Sequence, residues 1–310
     1  MKNHAYLILA HEDPRHLRRL IGALDGEWAR FYVHIDAKSD IVAFADLASH
    51  PRVAFVQDRV AVYWGGWSQV QATLNTLESA ATSDVAFSYY TLLSGSHFPL
   101  RSARDIHDGL EQGQAQHINL VKVPHPGLNK RMDRFTCYFF EGWHRPKTLY
   151  RKAFGPLMRL IGRLPVRNPG KHLNGVELYA GSQWWSLSAD AIEHIRKTVK
   201  ANPGLANFFR HVRIPDESFF QTILGNSPFL DRCKRGNVYT DWSDPNDAPC
   251  FIRDRHLPQL LHPSFGLIDD YGAGPAVYAR KFGSRNADVV EEISRFIKHG
   301  QETARLEKAG

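Results

Sequence analysis

The chain has 310 residues, 43% hydrophobic and 23% charged, enough apolar content to bury a large core. That length fits one large α/β domain or two small ones. A net charge of +7 admits an anionic partner (a nucleotide, a nucleic acid or a membrane surface) and does not choose among them.

Tyr6–Ala10 reads as a buried strand, stopped by His11-Glu12-Asp13-Pro14. Leu17, Leu20, Ile21 and Leu24 recur at helical spacing, and Gly26 ends that helix. Phe31–Ile35 is a second strand ending on Asp36, and Val53–Val56 a third. This alternation predicts a parallel sheet with crossover helices, which binds ligands at the carboxyl ends of its strands. His11 and Asp36 stand at those ends. Gly65-Gly66 marks a turn before a helix from Ser68 to about Ala80. Val85–Leu93 is strongly β-prone, and Ser94–Leu100 reads as a loop. Ser102 is placed to cap the next helix, and His117–Val121 is again strand-like. From Pro124 to Pro146 the periodicity is poor.

Tyr150–Leu173 carries Arg151, Lys152, Arg159, Arg163, Arg167 and Lys171, with apolar residues between them and no acid. Such a segment suits an anionic membrane surface or an exposed helix with one buried face. Gly181–Leu187 is a short strand. Two helices, Ala189–Lys200 and Leu205–His211, lead into Pro215-Asp-Glu-Ser-Phe-Phe220. There Asp216 is the expected N-cap and Glu217 lies in the first turn of a helix. Glu217 is then a general base facing a cleft, or a charge that complements the helix dipole. Asn237–Trp242 is a strand, Pro245–Gly274 is mostly loop, and residues 287–306 form an amphipathic helix with Val289, Val290, Ile293, Phe296 and Ile297 inward. No repeat or linker divides residues 1–310, so one domain is expected.

Cys137, Cys233 and Cys250 are odd in number and far apart, which predicts free thiols in a reducing compartment. Ala5–Ala10 is too short for a signal segment, no stretch is apolar enough to span a bilayer, and no anchor is expected before Met1. There is no glycine-rich phosphate loop, no Gly-x-Ser-x-Gly, no His-Glu-x-x-His and no Asp-x-Asp. Tyr278-Ala-Arg-Lys-Phe282 sets two cations between apolar neighbours, which suits a leaving diphosphate. Two unrelated surface charges would give the same string.

Seven pieces in order resemble one family. They are Tyr6-Leu-Ile-Leu-Ala-His11, Tyr32-Val-His-Ile-Asp36, Arg59-Val-Ala-Val-Tyr-Trp-Gly-Gly66, Leu92-Leu-Ser-Gly-Ser-His-Phe-Pro-Leu100, Gly181-Ser-Gln-Trp-Trp185, Pro215-Asp-Glu-Ser-Phe-Phe220 and Ala279-Arg-Lys-Phe282. The family is that of core 2/I-branching β-1,6-N-acetylglucosaminyltransferases and peptide O-xylosyltransferases, in its bacterial form. The resemblance implies a GT-A fold: a Rossmann-like, mostly parallel sheet with helices on both faces. It implies inverting transfer from a UDP-sugar to a glycan or other hydroxyl acceptor, with N-acetylglucosamine as the first choice of sugar and no metal or cofactor. Glu217 falls on the catalytic base. Ala10, His11, Asp36, Arg59, Arg280 and Lys281 fall on the donor site. Gln183, Trp184, Trp185, Arg131 and Arg134 fall on the sugar or acceptor site.

Gln183 stands where xylosyltransferases carry an acid, which sets UDP-xylose second. The stretch 262–277 is longer than the family pattern and is a candidate lid. Other readings are a non-catalytic nucleotide-sugar or polyanion binder and a hydrolase using Ser96 and His97. The partners expected are the donor, the acceptor and an anionic membrane touched peripherally from the cytoplasm, without nucleic acid.

Overall fold

The computed structural model describes residues 2–143, 149–244, 248–262 and 264–307. Its main sheet is built from β1 (Asn3–Ala10), β2 (Ala29–Ile35), β3 (Val53–Phe55) and β4 (Phe87–Ser94), followed later by β6, β7 and β8. The short β5 is His97–Pro99; β6 is Gln116–Lys122, β7 Tyr179–Ser188 and β8 Cys233–Lys234. The order is β3-β2-β1-β4-β7-β6-β8. β1 pairs in parallel with β2 and β4, β2 with β3, and β6 with β8. β7 alone breaks the direction, running antiparallel to both β4 and β6. It follows an excursion from 123 to 178 rather than a single crossover helix, so nothing forces it parallel.

The period-two pattern of β1 puts helices on both faces. Ala5 and Leu7 share a core cluster with Trp67, Val70 and Leu77 of the helix Trp67–Ala81 and with Ile192 and Ile195 of the helix Ala189–Ala201. Tyr6, Ile8 and Ala10 meet Leu17, Leu20, Ile21 and Leu24 of the helix Pro14–Leu24, and Ile106 and Leu110 of the helix Ala103–Gly113. Asp13 and Ser102 cap the last two helices with their side chains. The α/β class with a mostly parallel central sheet therefore holds.

A second sheet, β5-β12-β9, uses β9 (Val238–Thr240) and β12 (Tyr278–Arg280). Its Phe98 and Ala279 share a core cluster with Phe282, Val289, Val290 and Ile293, the last three from the helix Ala287–Glu307. Phe296 is 40% exposed rather than inward. The expected loop Ser94–Leu100 thus contains a strand, too short to show a period in sequence. The stretch expected as loop after Pro245 holds the short helix Leu257–Leu260 and a hairpin of β10 (Gly266–Asp269) and β11 (Gly272–Pro275). Pro245 itself lies outside the described residues. The candidate lid is this hairpin, and Arg235 grips Asp269 at its end.

Among the described residues no helix is long and apolar enough to cross a membrane. The helix Leu149–Ile161 exposes Phe154, Leu157 and Leu160, and Leu164 and Val166 continue the exposed apolar surface beyond it. The side chains of Arg151, Lys152 and Arg159 lie outside the described residues. Arg163 and Lys171 are exposed. Arg167 is not part of that surface. It is buried, donates to the carbonyls of Cys137, Phe208 and His211, and stacks 4.0 Å from the Phe208 ring centroid. Removing it takes away three hydrogen bonds and the Phe208 ring contact of a buried side chain, so Arg167→Ala should cost about 2–4 kcal/mol in urea unfolding. Arg163→Ala should stay within about 0.5 kcal/mol. Equal effects would contradict this division of the basic segment.

Candidate active site

A cavity of about 530 Å³ opens at the carboxyl ends of β1, β2 and β4. Ala10 and His11 come from the end of β1, Asp36 from the end of β2, and Ser94 and Ser96 from the end of β4. Asp36 receives Lys38 through both its backbone N–H and its Nζ, at 2.8 and 2.6 Å. Burial raises the Asp36 pKa, but the Lys38 and Val62 hydrogen bonds outweigh it and leave the carboxyl below its ordinary value.

The opposite wall is cationic. Arg280 ends β12, with Lys281 after it and Arg285 further on. The Arg280–Lys281 peptide bond is cis. The Arg280 guanidinium lies 4.9 Å from the Trp184 ring centroid, and its buried Nε has no hydrogen-bond partner. Burial pushes its pKa down to about 10, against the opposing pull of Glu217. Among the described residues it forms no ion pair with a carboxylate. Lys281 Nζ and Arg285 Cζ stand 4.9 and 4.5 Å from the Phe251 ring centroid. The aromatic rings hold these cations in place. His97, register partner of Arg280 across β5 and β12, packs edgewise on Trp184 at 4.6 Å.

Glu217 lies beside this cavity rather than on its wall. It ends a 3-10 turn, Pro215–Glu217, and the helix Phe219–Gly225 begins after it. Its Oε2 accepts from Lys130 Nζ at 2.8 Å and from Arg134 Nη1 at 3.0 Å. Lys130 also donates to Gly181 O at 2.6 Å, which ties Glu217 to β7 two residues before Gln183. Asp216 caps no helix, because the turn points it inward: it is 5% exposed and its Oδ1 has no partner. Gln69 Nε2 spans from Asp216 Oδ2 at 3.5 Å to Gln183 Oε1 at 3.4 Å. Gln69 and Gln183 line the cavity, so a polar chain joins it to the Pro215–Glu217 turn.

The model of the family described as "Core-2/I-Branching enzyme" matches residues 4–263. The chain belongs to the core-2/I-branching enzyme family. It is 26% identical to xylosyltransferase 2 of Rattus norvegicus over 311 residues, 96% of this chain and 34% of that protein. It is also 26% identical to beta-1,3-galactosyl-O-glycosyl-glycoprotein beta-1,6-N-acetylglucosaminyltransferase 3 of the same species, over 86% of this chain and 51% of that one. The chain thus spans about a third of the first relative and about half of the second. The solved structure of mouse xyloside xylosyltransferase 1, apo form, aligns over 92% of this chain and 99% of its own, at 11% identity and a TM-score of 0.39.

Within this family member Ala10, His11, Asp36, Gln183, Trp184, Arg280 and Lys281 share one cavity. Arg134 joins Glu217. Three expected residues stand elsewhere. Arg59 is turned away from the cavity and donates to the carbonyls of Ile35, Asp36 and Ser39, bracing the turn that carries Asp36. Trp185 is 1% exposed in the core against Phe220, because adjacent strand residues face opposite ways. Arg131 is exposed and pairs with Asp133. Its neighbour Lys130 takes the inward place, set by a two-way backbone bridge to His125. Lys130, Lys38, Gln69 and Arg285 had no distinguishing pattern in sequence. Phe251 stood in a stretch without periodicity.

Burial first, then the Glu217 charge, pushes Asp216 from its ordinary 3.8 up to about 7. The folded state holds a proton that the unfolded chain releases near the ordinary value. The resulting stability is complete below about pH 4 and is lost as pH rises through about 7. Asp216→Asn cannot ionise, so its Tm relative to wild type should climb between about pH 4 and pH 8. A difference that stays constant across thermal melts would contradict a buried neutral carboxyl.

Proposed function

We propose that this chain is an inverting, metal-independent glycosyltransferase of GT-A type. It moves a sugar, N-acetylglucosamine before xylose, from a UDP-sugar to a hydroxyl of a glycan or glycoconjugate. The observation that carries this is Arg280: a partly buried cation on a cavity wall, its Nε buried without a hydrogen-bond partner, beside two more cations and in no ion pair among the described residues. A partly desolvated charge without a partner is destabilising, and an anionic ligand removes that cost. A diphosphate fits three fixed cations, and its charge grows as the bond to the sugar breaks. Asp36, braced by Arg59, suits the nucleoside end.

In the proposed reaction Glu217 accepts the proton of the acceptor hydroxyl through Oε1, while Lys130 and Arg134 hold Oε2. The hydroxyl oxygen attacks the anomeric carbon from the face opposite UDP. Arg280 and Lys281 take up the charge of the departing diphosphate, the role a metal plays at Asp-x-Asp sites.

The ion pairs of Glu217 favour one other reading, a binding protein in which Glu217 only closes a charge cluster. Turnover separates the two. Glu217→Gln should lower kcat by about 100-fold or more with UDP affinity nearly unchanged. Arg280→Ala should weaken UDP itself by about 10- to 100-fold. Neither binding nor turnover should respond to EDTA. A fully active Glu217→Gln protein removes the base, and activity lost to EDTA and restored by Mn²⁺ removes metal independence.

The exposed run Phe154, Leu157, Leu160, Leu164 and Val166, with Arg163 and Lys171 beside it, supports peripheral contact with an anionic bilayer at the cytoplasmic face. Each cation near such a surface contributes about 1 kcal/mol, screened beyond about 8 Å at physiological salt. The protein should sediment with phosphatidylserine vesicles at low salt, and Leu157→Glu with Leu160→Glu should abolish this. No sedimentation of wild type would rule the contact out.

A further inference from the structure

Ser94, Gly95 and Ser96 form a wall of the cavity between Ala10 and Phe282. Gly95 is packed so closely that an added Cβ would come 3.0 Å from the Cβ of Ala10, and Ser96 O accepts from Phe282 N at 2.8 Å. The loop is therefore fixed at both sides. Behind it His97 is fully buried.

The hydrogen bonds of His97 decide which way every proton in this loop points. His97 Nδ1 accepts the Ser94 backbone N–H at 2.9 Å. A nitrogen that accepts an N–H carries no proton, so the neutral ring bears its proton on Nε2. Burial, and next the charge of Arg280, keep the ring neutral. Ser94 Oγ lies 2.8 Å from the same unprotonated Nδ1, where it can only donate, and it shares the one lone pair with the Ser94 N–H. With that proton engaged, Ser94 Oγ accepts from Ser96 Oγ at 2.9 Å. Ser96 then has no proton for the cavity and offers it only lone pairs.

We propose that Ser96 is a donor-binding residue that accepts a hydrogen bond from a hydroxyl of the UDP-sugar and gives none to its phosphates. This rests on the UDP-sugar reading above. A serine beside a cluster of cations would ordinarily serve a phosphate as a donor. Here its lone pairs repel phosphate oxygens and admit a hydroxyl, so the loop sorts the two chemistries along the cavity. The hydroxyl belongs either to the ribose or to the transferred sugar.

Calorimetric titration of wild type and Ser96→Ala with pyrophosphate, UDP, UDP-N-acetylglucosamine and UDP-xylose tests this. Ser96→Ala should weaken the better UDP-sugar about 3- to 10-fold and leave pyrophosphate unchanged. An equal loss for UDP assigns the ribose hydroxyl, and a loss confined to the UDP-sugar assigns the sugar hydroxyl. Ser94→Ala keeps the Ser96 oxygen but removes the group that orients it, and should give part of the same loss. Unchanged UDP-sugar affinity in Ser96→Ala, or weakened pyrophosphate, overturns the assignment. Arg280→Ala in the same titrations keeps the two ideas apart. If it leaves UDP and pyrophosphate binding intact, the diphosphate reading fails. If Arg280→Ala loses UDP while Ser96→Ala binds everything as wild type does, the Ser96 assignment fails alone. Wild type that binds no nucleotide overturns both.

Discussion

Arg280 is a cation that the fold partly buries and, among the described residues, leaves in no ion pair, and two sheets and the C-terminal helix meet around it. The Trp184 face offsets part of the cost of desolvating the guanidinium. The rest is met by packing around it. Ala279 before it and Phe282 two residues beyond are 0% and 1% exposed in a core shared with the C-terminal helix. The β5–β12 pairing fixes its register opposite His97. A charge held this way needs no reorganisation when an anion arrives, which is the arrangement that electrostatic catalysis requires.

β7 shows how one strand serves both purposes. Its pleat sends Trp185 into the core against Phe220 and Trp184 to the cavity under Arg280. Two adjacent tryptophans therefore have opposite roles, and exchanging the register of this strand by one residue would lose both. The strand is antiparallel to β4, and its register sets Trp185 opposite Leu92, so its middle lies beside the carboxyl end of β4. That is why Gln183 and Trp184 reach a cavity otherwise built from strand ends.

The fold was legible where the pattern was long. β1, β2, β4 and the helix Trp67–Ala81 lie within a residue or two of what periodicity places there, apart from a longer start to β1. It was not legible where pairing is decided at a distance. β5 and β12 are three residues each, below any period, and exist because they pair. The site followed the same division. Strand-end residues such as His11 and Asp36 were visible from topology, and Arg280 with Lys281 from their apolar flanks. Lys130 was not, because a one-residue choice between Lys130 and Arg131 depends on a bridge to His125 that no local pattern encodes.

Asp216 and Glu217 are neighbours in sequence with opposite environments. Asp216 is buried and pushed up to about 7, whereas Glu217 is half-buried against two cations. Adjacent carboxyls in such different surroundings are suited to different roles. The consequence reaches the cavity. Glu217 already acts on Arg280 through its charge. A second ionised carboxylate at Asp216 would add to the local negative potential and compete with any anion for the same guanidinium. Protonated below about pH 7, Asp216 leaves Lys130 and Arg134 to answer Glu217. Arg280, Lys281 and Arg285 then line the cavity without an ion pair among the described residues. The turn Pro215–Glu217 therefore sets the potential in the cavity from outside it, by withholding a charge below about pH 7 as much as by supplying one.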